Sequence, residues 1–222
     1  EFQNQKALDT YLKADKLSPN NWEVLWRISR AHVDLGEKMP EKTDEQKTEQ
    51  EKVYQKAFEF ADKSVKNGSG QSITYVRRAI ANGRIALFQG VFSAPGTVND
   101  VKEDCEKAIQ LGNGGNYVQA LAHYVLGRTH AKICENSYLV RLPLGLGWGD
   151  TEEAIRLLEI ANKLKPNFRM FMFELAKAYV EEDEYDKAKE LLKKIEKAPK
   201  VDEDDDRVLA EAKKLYEEIK NE

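Results

Sequence analysis

One spacing constrains this chain more than any other. Between Thr151 and Pro166, Ala154, Leu158, Ala161, Leu164 and Pro166 stand in an Ala-x3-Leu-x2-Ala-x2-Leu-x-Pro order, and Leu175-Ala176, Tyr179 and Ala188 continue it. Small residues at fixed points let two antiparallel helices approach closely, larger apolar residues fill the space between them, and proline stops a helix. A single helix pair of this kind cannot bury its own apolar face. Copies must stack.

Copies are present. ALDTYLKADKLSP carries Ala7, Tyr11, Ala14, Leu17 and Pro19 at matching positions, VKEDCEKAIQL carries Val101, Cys105, Ala108 and Leu111, and VYQKAFEFADKSV fits more loosely around Ala57 and Ala61. First helices align on a small residue followed by a cation: Ser29-Arg30, Gly83-Arg84, Gly127-Arg128 and Ala176-Lys177. The expected fold is therefore all-α. It is a tetratricopeptide-type solenoid of antiparallel helix pairs, a single domain over residues 1–222 wound as a right-handed superhelix. A polar capping helix is expected at about 203–221, carried by Val208, Ala212, Leu215 and Ile219 behind the acidic run Asp202–Asp206. The chain opens on a second helix without its first and begins at Glu1. A truncated first repeat and a removed N-terminal signal or anchor are the expectation, with cytoplasm and periplasm both open as compartments.

The small residues of the first helices are 54, 44 and 49 residues apart, against about 34 for a minimal repeat. The excess falls between first and second helices. Gly36–Glu51 is polar and expected to extend a helix or hang in solvent; Gln89–Asp100 and Cys134–Asp150 are partly apolar. Apolar insertions cannot simply face water, so Val91, Phe92, Leu142, Leu144, Leu146 and Trp148 are expected to fold back as a lid over a groove. The glycines of LVRLPLGLGWGD resemble a phosphate-binding loop, but no strand precedes them and no lysine follows, which argues against nucleotide binding. They read instead as tight turns, with Asp150 and Glu153 as a helix N-cap and its capping-box partner.

Charge and composition exclude more than they select. A net charge of −4, from 35 basic and 39 acidic residues, gives no global pull toward nucleic acid or a membrane surface. No apolar run reaches the length of about 20 residues that a membrane span needs. Cys105 and Cys134 fall in helical patterns, have no metal-ligand spacing with the three histidines, and are expected to be buried thiols. His123 and His130 flank Gly127 on the packing face and read as satisfied core histidines. No metal and no cofactor are expected. Without a nucleophile-base pair at recognisable spacing, an enzyme is not expected either.

Placed in register, the first helices show a second face. Three positions before the small residue stand Trp26, Ile80, Tyr124 and Phe173; one after it stand Arg30, Arg84, Arg128 and Lys177. These positions share one side of a helix, distinct from the packing side through Leu25, Ile28, Ser29 and His32. With Arg77, Arg78 and Asn82 adding polarity at the central repeat, they suggest a concave groove for an anionic or amphipathic ligand. Arginines at such positions also pair with carboxylates of the next repeat and do nothing else. Sequence leaves a binding groove and a structural cation ladder both open.

RRAIANGRIALFQGVF, AHYVLGRTHAKICE and RLPLGLGWGDTEEAIRLLEIANKLKP together resemble the regulator of microtubule dynamics family of tetratricopeptide proteins, its bacterial-type members in particular, from about Trp22 onward. The chain is also similar to periplasmic tetratricopeptide lipoproteins that accompany substrate-binding-protein-dependent transporters. The resemblance implies an all-helical scaffold that binds another macromolecule, with eukaryotic relatives associated with microtubules. The expected function is a non-enzymatic scaffold holding a protein or peptide partner, with acidic groups, in the groove of Trp26, Arg30, Arg77, Ile80, Arg84, Tyr124, Arg128, Phe173 and Lys177. Nucleic acid is not expected as a partner, and an oligomer is possible. The alternative is a small-ligand or lipid-binding accessory of a transporter, its pocket roofed by the apolar insertions.

Overall fold

A computed structural model describes residues 3–222. Among them run eleven α-helices: α1 Asn4–Leu17, α2 Trp22–Gly36, α3 Asp44–Asn67, α4 Ser72–Gln89, α5 Pro95–Leu111, α6 Gly115–Cys134, the short α7 Tyr138–Arg141, α8 Thr151–Leu164, α9 Arg169–Glu181, α10 Tyr185–Lys197 and α11 Asp205–Ile219. No strand occurs among these residues, and no helix is long and apolar enough to cross a membrane. The fold is a tetratricopeptide-like helical solenoid.

Each long helix packs on the next, and α2, α4, α6 and α9 also touch in succession. That second set of contacts makes the first helices one layer. The repeat positions behave as the spacing requires: Ala154, Leu158 and Ala161 on α8, and Ala188 on α10, are buried, as are Ala57 and Ala61 on α3 and Cys105 and Ala108 on α5. At three junctions between repeats a left-handed residue makes the turn. After Pro19 and after Pro166 an asparagine takes a left-handed conformation, Asn20 at φ 65° and Asn167 at φ 61°, because its short polar side chain tolerates that region. Between α5 and α6 the same task falls to Gly112, Gly114 and Gly115.

Half of the polar first insertion, from Asp44 on, joins α3. Thr43 and Gln46 cap that helix reciprocally, which starts it at Asp44, and Gln50 Nε2 donates to the Gly36 carbonyl at 2.9 Å to hold its first turns on the end of α2. On α11, Val208, Ala212 and Ile219 are buried and Leu215 is half-buried.

Two expectations need correcting. Cys105 is fully buried, but Cys134 is half-buried, because it ends α6 where the chain leaves the core, and its Sγ accepts from Arg141 at 3.5 Å. The glycine run does make turns, closed by the Gly145 N–H on the Leu142 carbonyl at 3.1 Å and the Gly149 N–H on the Leu146 carbonyl at 3.3 Å, with Gly145 at a left-handed φ of 73°. A side chain at Gly149 would strike Ile133 and Arg141, so this glycine allows close approach. Asp150 does cap α8, accepting from Glu153 N–H at 2.8 Å, but the Glu153 carboxylate pairs with Arg156 and leaves the capping box unclosed.

Candidate binding groove

The layer of first helices is amphipathic twice over. One side packs on the second helices; the other lines a cavity of about 160 Å³. Its walls are Val33 from α2, Ile80, Gly83 and Leu87 from α4, Leu121 and Val125 from α6, and Phe168, Met170 and Phe171 at the start of α9. Tyr124 stacks against Phe171 with ring centroids 4.7 Å apart, and Phe171 against Phe168 at 4.5 Å, so the floor is aromatic and rigid. A more polar hollow adjoins it, bounded by Glu37, Tyr54, Phe173, Glu174 and Arg207, with Arg84, Tyr124 and Arg128 common to both.

Seven of the nine groove residues expected from sequence border one hollow or the other: Arg30, Arg77, Ile80, Arg84, Tyr124 and Arg128 border the cavity, and Phe173 the adjoining hollow. Lys177 stands over the Phe173 ring at 5.4 Å, and Trp26 lies beside Arg77, whose guanidinium is 5.5 Å from its ring centroid. Neither lines a hollow.

Every cation of the ladder has a carboxylate. Arg30 donates to Asp34 at 3.3 Å, Arg84 pairs with Glu37, Arg128 approaches Glu174 to 3.6 Å, and Lys177 reaches the same Glu174 at 2.8 Å. Desolvation, with Arg128 adding repulsion, pulls the Arg84 guanidinium down to about 10. Part of the structural reading is therefore visible in the geometry.

The central repeat separates two adjacent arginines completely. Arg78 turns to the packing side, forks onto Asp104 at 2.7 and 2.9 Å and reaches Asp62 at 2.8 Å, clamping α4 between α3 and α5. Arg77 turns to the cavity, is 7% exposed, and its Nε has no hydrogen-bond partner. No ion pair reaches it among the described residues. Desolvation, reinforced by Arg30, holds its guanidinium below the ordinary value.

Most of the apolar residues of the insertions lie elsewhere. Leu146 is fully buried among Ala86, Val91, Val98 and Ile133, with Phe92, Leu144 and Trp148 packed around it. Trp148 Nε1 donates to Asn99 at 2.7 Å, and its ring meets His130 edge-on at 4.9 Å. Of the six residues expected in the lid, Val91 borders the cavity, whereas Phe92, Leu142, Leu144, Leu146 and Trp148 do not. The insertion plugs the gap between α4, α5 and α6, because that is where unpaired apolar surface remains when the second helix starts late. Leu142 does not fold back fully; it stays 48% exposed beside Leu139 at 81%.

What does border the cavity was not singled out from the sequence. Asp202, Glu203 and Asp204, just before α11, complete its lining from the far end of the chain. Lys38 Nζ donates to Asp204 at 2.8 Å and Asn4 Nδ2 to Glu203 at 3.0 Å, tying the last repeat to the first two. Burial opposes ionisation of Asp204, but the Lys38 hydrogen bond and Arg207 outweigh it and hold the carboxyl below the usual range. Their base is fixed by the buried Arg169, which donates to the Ala198 carbonyl at 2.6 Å and the Asp205 carbonyl at 3.2 Å. The acidic run was the only sequence signal, and charge alone does not say where a run docks.

The family described as regulator of microtubule dynamics protein 1-3 matches residues 1–220. No curated protein matches the chain. Among solved structures it is similar to TTC0263, a thermophilic tetratricopeptide protein of Thermus thermophilus, at 21% identity and a TM-score of 0.62, covering 94% of this chain and 90% of that one. MamA from Desulfovibrio magneticus RS-1 follows at 17% identity and a TM-score of 0.53, covering 88% and 85%. At these identities the likeness concerns the fold.

Proposed function

From the premise that this chain belongs to the regulator of microtubule dynamics family, we propose that it is a non-catalytic interaction scaffold whose first-helix layer takes an acidic segment of a partner protein into the groove. Tetratricopeptide-like solenoids suit protein-protein interaction in general, since a layer of equivalent helices offers a long concave surface. The observation that carries the finer reading is that the register positions of α2, α4 and α6 converge on one aromatic-floored cavity edged by Arg30, Arg77, Arg84 and Arg128. The paired cations do not contradict it. Arg84 and Arg128 remain partly exposed, with side chains 27% and 36% accessible, and a guanidinium has donors enough to hold an acidic ligand beside Glu37 or Glu174.

The test is affinity capture from source-cell lysate with mass spectrometry of bound proteins and extracted small molecules, comparing the wild type with Arg84→Ala/Arg128→Ala. The expected result is a protein partner held by the wild type and lost by a variant whose circular dichroism is unchanged. Equal capture by both would leave the ladder purely structural. A small molecule retained without any protein would favour the transporter-accessory reading.

A further inference from the structure

Two arginines are buried without an ion pair among the described residues, Arg77 and Arg169; Arg169 donates to the Ala198 and Asp205 carbonyls, and Arg77 has no such backbone bond. A buried guanidinium is ordinarily forked onto a carboxylate, as its neighbour Arg78 is on Asp104. Arg77 is as deeply buried as a core leucine, and only Trp26, 5.5 Å away, offers its ring face. Tyr117, within hydrogen-bonding reach, and the Asp34 charge favour its charged form, yet the Nε remains unpartnered. Asp34 is occupied by Arg30. An unpaired buried charge is unfavourable for folding, and the residue lines an open cavity rather than sealed core.

We propose that Arg77 anchors a binding site for a small apolar monocarboxylate. Three features set that class. The planar fork of an arginine matches the two oxygens of a carboxylate. A second negative charge has nowhere to go, because Arg77 is the one unpaired cation among the cavity's arginines while Asp34, Asp202, Glu203 and Asp204 also border the space. That disfavours phosphate-like dianions. Between these charged edges the walls are mostly apolar, and at about 160 Å³ the cavity is close in size to the ~150 Å³ space that accommodates one benzene ring. One side chain fits; an acyl chain does not. The ligand is therefore a carboxylate carrying one apolar group, which is the chemistry of the last residue of a peptide and equally of a free aromatic acid. In its peptide form the inference rests on the groove reading above and narrows it to a partner's free C-terminus.

The experiment uses benzoate, benzamide and a short peptide ending in phenylalanine, with its C-terminus either free or amidated, titrated calorimetrically into wild type, Arg77→Met and Arg77→Lys. Benzoate is expected to bind the wild type and benzamide not, with at least a tenfold loss in Arg77→Met and an intermediate affinity in Arg77→Lys. Arg77→Met without ligand is expected to melt at or above the wild-type temperature, since it removes an unpaired charge. Benzamide binding as well as benzoate, benzoate binding unchanged in Arg77→Met, or a ligand-free Arg77→Met melting far below wild type would each overturn the site. The arms also separate the sources. Binding of the free but not the amidated peptide assigns the carboxylate to a partner's C-terminus. Benzoate binding with neither peptide bound supports the site for a free acid while the peptide groove fails. Equal binding of both peptides without benzoate leaves the groove standing and removes this inference.

Discussion

At the scale of residues, identical side chains acquire opposite roles from a turn of about 100° on one helix. Sequence shows Arg77 and Arg78 as a pair adding polarity to the central repeat; only the packing reveals that one clamps Asp62 and Asp104 and the other faces a cavity. No periodicity argument could separate them, because Asp62 and Asp104 lie 16 and 26 residues from Arg78 and are brought to it by tertiary stacking. Of the two histidines read as core, His123 is half-buried, its Nδ1 against the Gln119 carbonyl, and His130 fits the reading. His130 is buried, its Nδ1 accepts from the Asp150 N–H at 3.2 Å, and so it is neutral with its proton on Nε2. Desolvation holds both His130 and His32 below the ordinary histidine value. A depressed folded pKa means that the unfolded chain takes up protons first. Stability is expected to be complete above about pH 6.5 and to decline as the pH falls from there through the folded values. Melting curves between pH 7.5 and 5 check this, and His130→Gln is expected to flatten the slope; a slope unchanged in that variant would remove His130 from the account.

At the scale of elements, the repeat spacing located the long helices and their buried alanines because close packing leaves a periodic mark. It treated Ser29, Gly83, Gly127 and Ala176 as equivalent, and one is not. A Cβ at Gly127 would sit 3.0 Å from the Ala154 carbonyl oxygen and 3.0 Å from Leu158, where α6 crosses α8, whereas at Gly83 nothing lies within 4 Å. The face that α4 turns to α5 runs instead through Ala79 and Ala86, packed with Val101, Cys105 and Val98. Gly83→Ala is therefore expected to stabilise the fold by about 0.5–1 kcal/mol, the usual gain for replacing a helix-interior glycine. Gly127→Ala is expected to lose more than that gain, since the obstructing atom is backbone and cannot rotate away. Denaturant midpoints for the two variants decide it; shifts of the same sign would mean that α6 and α8 are less closely apposed. The insertions were legible as apolar and as insertions, but not as a plug. Their destination depends on which neighbouring helix ends leave surface uncovered, and that is a property of the assembled stack.

At the scale of the whole molecule, the solenoid brings the acidic segment Asp202–Asp204 back to Asn4 and Lys38 and completes a cavity whose parts are spread over most of the sequence. The fold could be read from residues alone, and so could the run of first-helix residues along the cavity, save Trp26 and Lys177, since both follow a repeat. The closing segment could not, because a capping helix follows no register. The account's central claim is that the paired charges of this face build the stack while the unpaired one serves a ligand. Its most direct test is the unfolding free energy of Arg77→Met beside that of Arg78→Met, measured without ligand. Breaking the Arg78 clamp leaves the buried Asp104 without its partner and is expected to cost about 3 kcal/mol, whereas Arg77→Met is expected to match or exceed the wild type. Equal, large losses in both variants would show that Arg77 also holds the fold together, and would contradict the account.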